Sequence, residues 1–367
     1  MVLDGKEISS SMHIVFRADA SLAIGNGHVM RCASLAQALH ANGAHCTFVC
    51  TSETGHLNAY LQNQGYVVHA INPNTYDTRV NTESLLTNWQ SDAQATANAI
   101  HDQHIDWVVV DHYGLDWQWE AELSSYASQL MVIDDLANRE HQCALLLDAN
   151  PGRQVDDYDI LTPLGCRILT GPKYALIRNE IRQSRHTDHV SRVTHTSLRI
   201  LITLGGVDND NFTCKVLAAL NQFDSNTPLE IQVVVGPFAP WIDQVFQISH
   251  AMRWPTHVTQ NPNNFIELMC THDIAIGAAG TSALERCYLG LPSINFILAP
   301  NQHLSAKTLQ TQHAASSIEL NTGWEESLHQ HLHELQKSSH RQAMQKACLH
   351  ITDGSGAELV AQEMLHA

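Results

Sequence analysis

Short apolar runs alternate with helical patterns along this chain, and the alternation occurs twice. In the first half the runs are residues 14–16, 46–50, 67–71, 107–110, 130–133 and 144–147. Most end in polar residues, among them Asp111-His112-Tyr113, Asp134-Asp135 and Asp148-Ala149-Asn150. A polar stretch over 178–196, rich in arginine, then reads as a solvated linker. After it the pattern restarts with 198–204, 231–235, 273–276 and 293–298. Strands spaced by helices predict parallel sheets covered on both faces. The expected fold class is therefore α/β, with two Rossmann-like domains, 12–180 and 197–367, facing each other across a cleft. In such sheets ligands bind outside the carboxyl ends of the strands, where the polar residues collect here.

A length of 367 residues suits two domains. The formal charge of −17 disfavours nucleic acid and stable membrane association, though a local site can still oppose that field. No apolar run has membrane length, and the first eleven residues, with Asp4, Lys6 and Glu7, lack the apolar core of a secretory signal. They read as a disordered lead-in, the fold beginning at Met12. Nine cysteines, scattered mostly within apolar patterns, fit reduced thiols and a cytoplasmic location. No metal site is expected. Cys46 and Cys50 lack a second close pair, and His329, His331 and His333 read as a solvated helix face.

The densest local signal is the loop after the first strand, Gly25-Asn26-Gly27-His28, leading into a helix with Val29, Cys32, Leu35, Ala36 and Leu39 on one side. Free N–H groups and the positive end of the helix dipole meet there, an arrangement suited to a phosphorylated or sugar-like ligand. Met30 stands where the dinucleotide fingerprint needs its third glycine, which argues against a nicotinamide cofactor, and none is expected. A histidine at a helix start is expected to stay neutral and accept a proton, which makes His28 the candidate base. In the second half, Gly277-Ala278-Ala279-Gly280-Thr281-Ser282-Ala283-Leu284-Glu285 passes from a strand end through small residues into a helix. It can hold a diphosphate with N–H groups and the hydroxyls of Thr281 and Ser282, while Glu285 accepts from ribose hydroxyls. The competing reading of Ser282 and Glu285 is a capping box.

Residues 280–292, with the preceding 264–269, resemble the UDP-binding region of GT-B glycosyltransferases close to the bacterial enzyme that glycosylates the lipid-linked peptidoglycan precursor. The stretches 16–19, 24–31, 110–114 and 171–180 narrow the resemblance to the UDP-2,4-diacetamido-2,4,6-trideoxy-β-L-altropyranose hydrolases of pseudaminic acid biosynthesis. It extends over nearly the whole chain from Met12. The resemblance implies a GT-B fold and an inverting attack of water on the anomeric carbon, releasing UDP. It makes His28 the base, with Asp19 and Tyr113 beside the sugar. Asp19 would orient His28, hold sugar amides or simply cap its loop; Tyr113 would position water or donate to ring substituents. Ile266 is placed by the uracil, Glu285 by the ribose, and Ser282 with Gly205 and Gly206 by the diphosphate. Arg17, Gly25, Gly27, Lys173, Tyr174, Gly280, Thr281 and Gln302 complete the implied substrate-binding set, Lys173 and Tyr174 alternatively only closing the cleft. The partners expected are a UDP-sugar and water, with the protein a monomer or weak oligomer. The alternatives are a GT-B transferase with a UDP-sugar donor and a non-catalytic nucleotide-sugar-binding protein.

Overall fold

The computed structural model describes residues 11–71, 88–185 and 196–367. The first sheet contains β1 (His13–Ala18), β2 (His45–Thr51), β3 (Val67–Ile71), β4 (Ile105–Asp111), β5 (Ala127–Ile133), β6 (Leu145–Asp148) and β7 (Arg167–Thr170), in the order β3-β2-β1-β4-β5-β6-β7. The second contains β8 (Leu198–Thr203), β9 (Leu229–Val235), β10 (Thr256–Gln260), β11 (Ile274–Ala278), β12 (Ser293–Ile297) and β13 (Ser316–Glu319), in the order β10-β9-β8-β11-β12-β13. Neighbouring strands are parallel in both sheets. The order reverses between β1 and β4 in one sheet and between β8 and β11 in the other. Each reversal opens a crevice beyond the strand ends.

Both faces of the central strands are buried, which is why they read as continuous apolar runs. On one side of the first sheet Ile14, Phe16, Val109 and Met131 pack with Cys32, Leu35 and Leu39 of the helix Gly27–Ala41. On the other, Val15, Val108 and Val132 pack with Ala93, Ala97 and Trp119. The strands anticipated from apolar runs are all present. Those not anticipated, β7, β10 and β13, are edge strands. They bury few side chains completely, and Thr256-His257-Val258-Thr259-Gln260 buries none, so no continuous apolar run marks them.

The chain between the domains is more structured than a solvated linker. Residues Asn179–Arg185 form a helix, and Ala175, Ile177 and Ile181 are buried among Leu201, Met269, Leu284 and Cys287 of the second domain. Residues 186–195 of the expected linker lie outside the described residues, as do residues 1–10 of the expected lead-in. The chain also crosses back at its end. Its last helix, Gly356–Leu365, buries Ala357, Val360, Ala361 and Met364 in the first domain's core, against the helix Gly27–Ala41. Among the described residues no helix is long and apolar enough to cross a membrane.

This return crossing has a measurable weight. Met364 is fully buried, whereas Gln362 is exposed on the same helix. Met364→Ala is expected to lower unfolding free energy by about 2–4 kcal/mol, read by urea unfolding of the first domain's buried tryptophans. Gln362→Ala should shift it by less than about 0.5 kcal/mol.

Candidate active site

The crevice of the first sheet is lined by charged side chains that close on one another. His28, the second residue of its helix, is buried, and no side chain caps that helix. Its Nδ1 lies 2.6 Å from Oδ1 of Asp111, the last residue of β4. With Nδ1–H donating to the carboxylate, the imidazole keeps a lone pair on Nε2. Arg31, one turn further along the helix, donates through Nε (2.6 Å) and a terminal nitrogen (2.7 Å) to the same carboxylate. It also reaches Asp135 at 2.8 Å. Burial pushes the Asp111 carboxyl up, but Arg31 and His28 outweigh it and hold the group well below the usual carboxylate range.

Tyr113 belongs to the same cluster. Its ring meets the His28 ring edge-on, with centroids 4.5 Å apart, and its hydroxyl donates to Asp135 at 2.6 Å. Burial and the carboxylate of Asp135 raise its pKa, so the phenol stays protonated. Asn150 donates to Asp135 (3.0 Å) and Asp148 (2.8 Å).

Asp19 does not orient His28; Asp111 does. The Asp19 carboxylate pairs with Arg17 at 2.7 Å and accepts from the Thr51 N–H at 2.7 Å. Burial opposes its ionisation, yet Arg17 brings its pKa down to about 2. Arg17 is fully buried and also bound to Asp92, so it meets the crevice only through Asp19. His112 is a structural histidine. Its Nδ1 accepts from the Gly114 N–H at 3.0 Å and its Nε2 lies 3.5 Å from Asp19. Burial pushes it down to about 4 despite that carboxylate.

The second domain brings its loops against the first. A Cβ added to Gly27 would lie 3.8 Å from Thr281 Oγ1, and one on Gly206 would lie 3.8 Å from the Asn26 side-chain nitrogen. Gly27 thus faces Thr281, and Asn26 of the same loop faces Gly206. Gly205 adopts φ +107°, open to glycine at little cost. Gln302 stands beside Gly280 and accepts from the Leu298 N–H at 2.9 Å. Asn301 donates to the Tyr113 hydroxyl (3.3 Å) and Ser305 to Asn150 (3.2 Å), tying the domains across the cleft. Ile266 is half-buried on the helix Phe265–Thr271. Lys173 and Tyr174 stack on each other in a turn packed against the last helix and share no contact with the His28 cluster among the described residues.

Ser282 and Glu285 do not form a capping box. Thr281 is the N-cap without a side-chain bond, and Glu285 is held instead by Arg178 through two bonds of 2.7 and 3.0 Å. Arg178, Asp111, Arg31 and Asp135 were not among the residues expected at the site. Arg31 had a signal in its spacing, three residues beyond His28 and so on the same helix face.

Comparison with known proteins agrees with this architecture. Residues 199–363 match the Glycosyltransferase family 28 C-terminal domain. The crystal structure of Acinetobacter baumannii MurG superposes with a TM-score of 0.67 over 97% of this chain and all of that one, at 16% identity. The chain has the GT-B fold. Among curated sequences, protein MJ1062 of Methanocaldococcus jannaschii is 24% identical over 288 residues, 77% of this chain and 55% of that protein. The UDP-2,4-diacetamido-2,4,6-trideoxy-β-L-altropyranose hydrolase of Campylobacter jejuni is 25% identical over 209 residues, 57% of this chain and 66% of the relative. The matches therefore span between about half and two thirds of these relatives' lengths.

In this GT-B chain His112 makes stability depend on pH. The unfolded imidazole takes up a proton near the ordinary histidine value of 6.5, whereas the folded one does so only near 4. Between those values the unfolded state binds more protons, so stability falls as pH drops through that window, by up to about 3 kcal/mol. His112→Asn, which offers Gly114 an equivalent acceptor, is expected to remove this component. Chemical unfolding at pH 7 and pH 4 should show a smaller loss on acidification than in the unchanged protein.

Proposed function

We propose that this protein is an enzyme that hydrolyses a UDP-linked 2,4-diacetamido-2,4,6-trideoxy sugar, releasing the free sugar and UDP. The observation that carries the reading is the Asp111–His28 pair at a helix start, set opposite the glycine-rich and hydroxyl-bearing loops of the second domain. The likeness to the Campylobacter jejuni hydrolase over the matched region supports the substrate class.

In this mechanism Nε2 of His28 takes a proton from water as the water oxygen attacks the anomeric carbon. The bond from that carbon to the UDP oxygen breaks, and its electron pair leaves with UDP. Asp111 fixes the tautomer and stabilises the imidazolium that forms, a role its strong ionisation suits. Donors at Gly205-Gly206 and 280–282 stabilise charge growing on the leaving diphosphate. Glu285, oriented by Arg178, accepts from the ribose hydroxyls. Asp19 and Tyr113 border the sugar. Asp111 is engaged by Arg31 and His28, and Asp19 by Arg17 and the Thr51 N–H, so neither carboxylate is free to act as the nucleophile of a covalent glycosyl intermediate.

The match to the glycosyltransferase family 28 domain favours a second reading, a transferase using the same kind of donor. Incubating purified protein with the UDP-sugar in ¹⁸O-labelled water separates the two. Hydrolysis by this mechanism places label on the anomeric carbon of the freshly released sugar, with inverted configuration. Label in UDP means attack at phosphorus and removes the role given to His28. UDP release only after a second sugar or lipid is added means the transferase.

Two substitutions test the assignments. His28→Phe is expected to lower kcat about a hundredfold or more, leaving UDP affinity nearly unchanged. Glu285→Ala is expected to weaken UDP binding by roughly 1–3 kcal/mol, read by calorimetry. A melting temperature that collapses while UDP affinity survives would instead make Glu285 a purely structural partner of Arg178.

A further inference from the structure

Among the described residues two arginines are completely buried, and they differ in one respect. Arg17 is closed by the carboxylates of Asp19 and Asp92. Arg286, on the helix Ser282–Tyr288, has no carboxylate at ion-pair distance among the described residues. Its acceptors are neutral: Ser282 Oγ at 3.1 Å, the Ala278 carbonyl at 2.6 Å and Asn295 Oδ1 at 2.8 Å. Its Nε has no hydrogen-bond partner among the described residues. Burial pulls its pKa down to about 10, and the nearby charge of Glu285 does not offset that burial. An isolated buried charge opposes folding unless something compensates it.

The position of the guanidinium indicates what does. Ala278 and Ser282 flank the small-residue loop that faces the His28 loop across the cleft. Gly277 leaves room for the group, since a Cβ there would lie 2.8 Å from a terminal nitrogen of Arg286. Because Arg286 donates to Ser282 Oγ, that oxygen is already an acceptor. Its own hydrogen is left to donate elsewhere.

We infer that Arg286 is the buried counter-charge for a diphosphate seated at the 278–282 loop, and a positioning residue that turns Ser282 into a donor to a phosphate oxygen. This rests on the proposed reading of the cleft as a nucleoside diphosphate site. The anion supplies the charge the arginine lacks. In return the arginine acts on it from behind the loop, through a medium that screens poorly. Arg286 touches no reacting atom and works through the loop it holds.

The test compares binding of UDP and of uridine, by calorimetry and by ligand-observed NMR, to the unchanged protein and to Arg286→Gln, Arg286→Lys and Ser282→Ala. Arg286→Gln is expected to weaken UDP roughly ten- to a hundredfold and leave uridine unaffected. Arg286→Lys, which keeps the charge, should lose much less. Ser282→Ala should also weaken UDP selectively, and should add little once Arg286 is Gln, because both changes remove one arrangement. Equal losses for UDP and uridine, or a Ser282→Ala protein with undiminished UDP affinity, would overturn the inference. So would a Lys variant no better than Gln. If the unchanged protein binds GDP, ADP, CDP or dTDP in place of UDP, the uridine reading falls, and the same comparison against the matching nucleoside decides the role of Arg286. Binding of none of these would overturn both.

Discussion

The carboxylate of Asp111 is the point on which the first domain's crevice is assembled. It ends a central strand, and both oxygens are used: Oδ1 by His28 and Arg31, Oδ2 by Arg31 again. Arg31 carries the arrangement on to Asp135, and Asp135 to Tyr113 and Asn150. One buried anion therefore sets the rotamers of a histidine, an arginine and, at one remove, a tyrosine and an asparagine. A network of this kind is stable only while its members are satisfied, because each group left alone in the interior opposes folding. The same requirement holds the imidazole in one tautomer.

Much of the fold was legible in the residue pattern, and the part that was not has a physical cause. Strands such as 107–110 and 231–235 are covered on both faces and spell themselves as apolar runs. At the sheet edges the constraint relaxes. β13 buries only Ser316 and Ile318 and β10 buries no residue completely, so Thr256-His257-Val258-Thr259-Gln260 and Ser316-Ser317-Ile318-Glu319 read as loops. The segment after Tyr174 misled in the opposite direction. Its arginines suggest solvent, yet Arg178 reaches Glu285 and Ile181 lies in the second domain's core.

The candidate site was legible to a similar degree. Glycine spacing and helix signals marked His28 as a residue with little packing purpose and the 277–282 loop with Glu285 as a candidate diphosphate and ribose site, a capping box being the competing reading there. Their partners are another matter. Asp111 lies 83 positions from His28, and Glu285 lies 107 from Arg178. Which strand end lies beside which depends on sheet order, and the order β1-β4 places Asp111 next to Ala18 in register. Local pattern contains none of that. Arg17 and Asp19 illustrate the reverse case. They sit within a distinctive motif, yet much of what they do is hold each other and the end of β2.

The return of the final helix to the first domain has a mechanical meaning. A chain that passes once between two bodies leaves them free to swing and to twist. Here it passes twice, and the two passages are joined: Arg182, on the outward crossing, pairs with Glu358 on the last helix. Two adjacent tethers suppress torsion and leave mainly a swing about the line connecting them. Any swing of one domain against the other would then follow nearly one path, bringing the His28 loop back to the 278–282 loop in the same alignment.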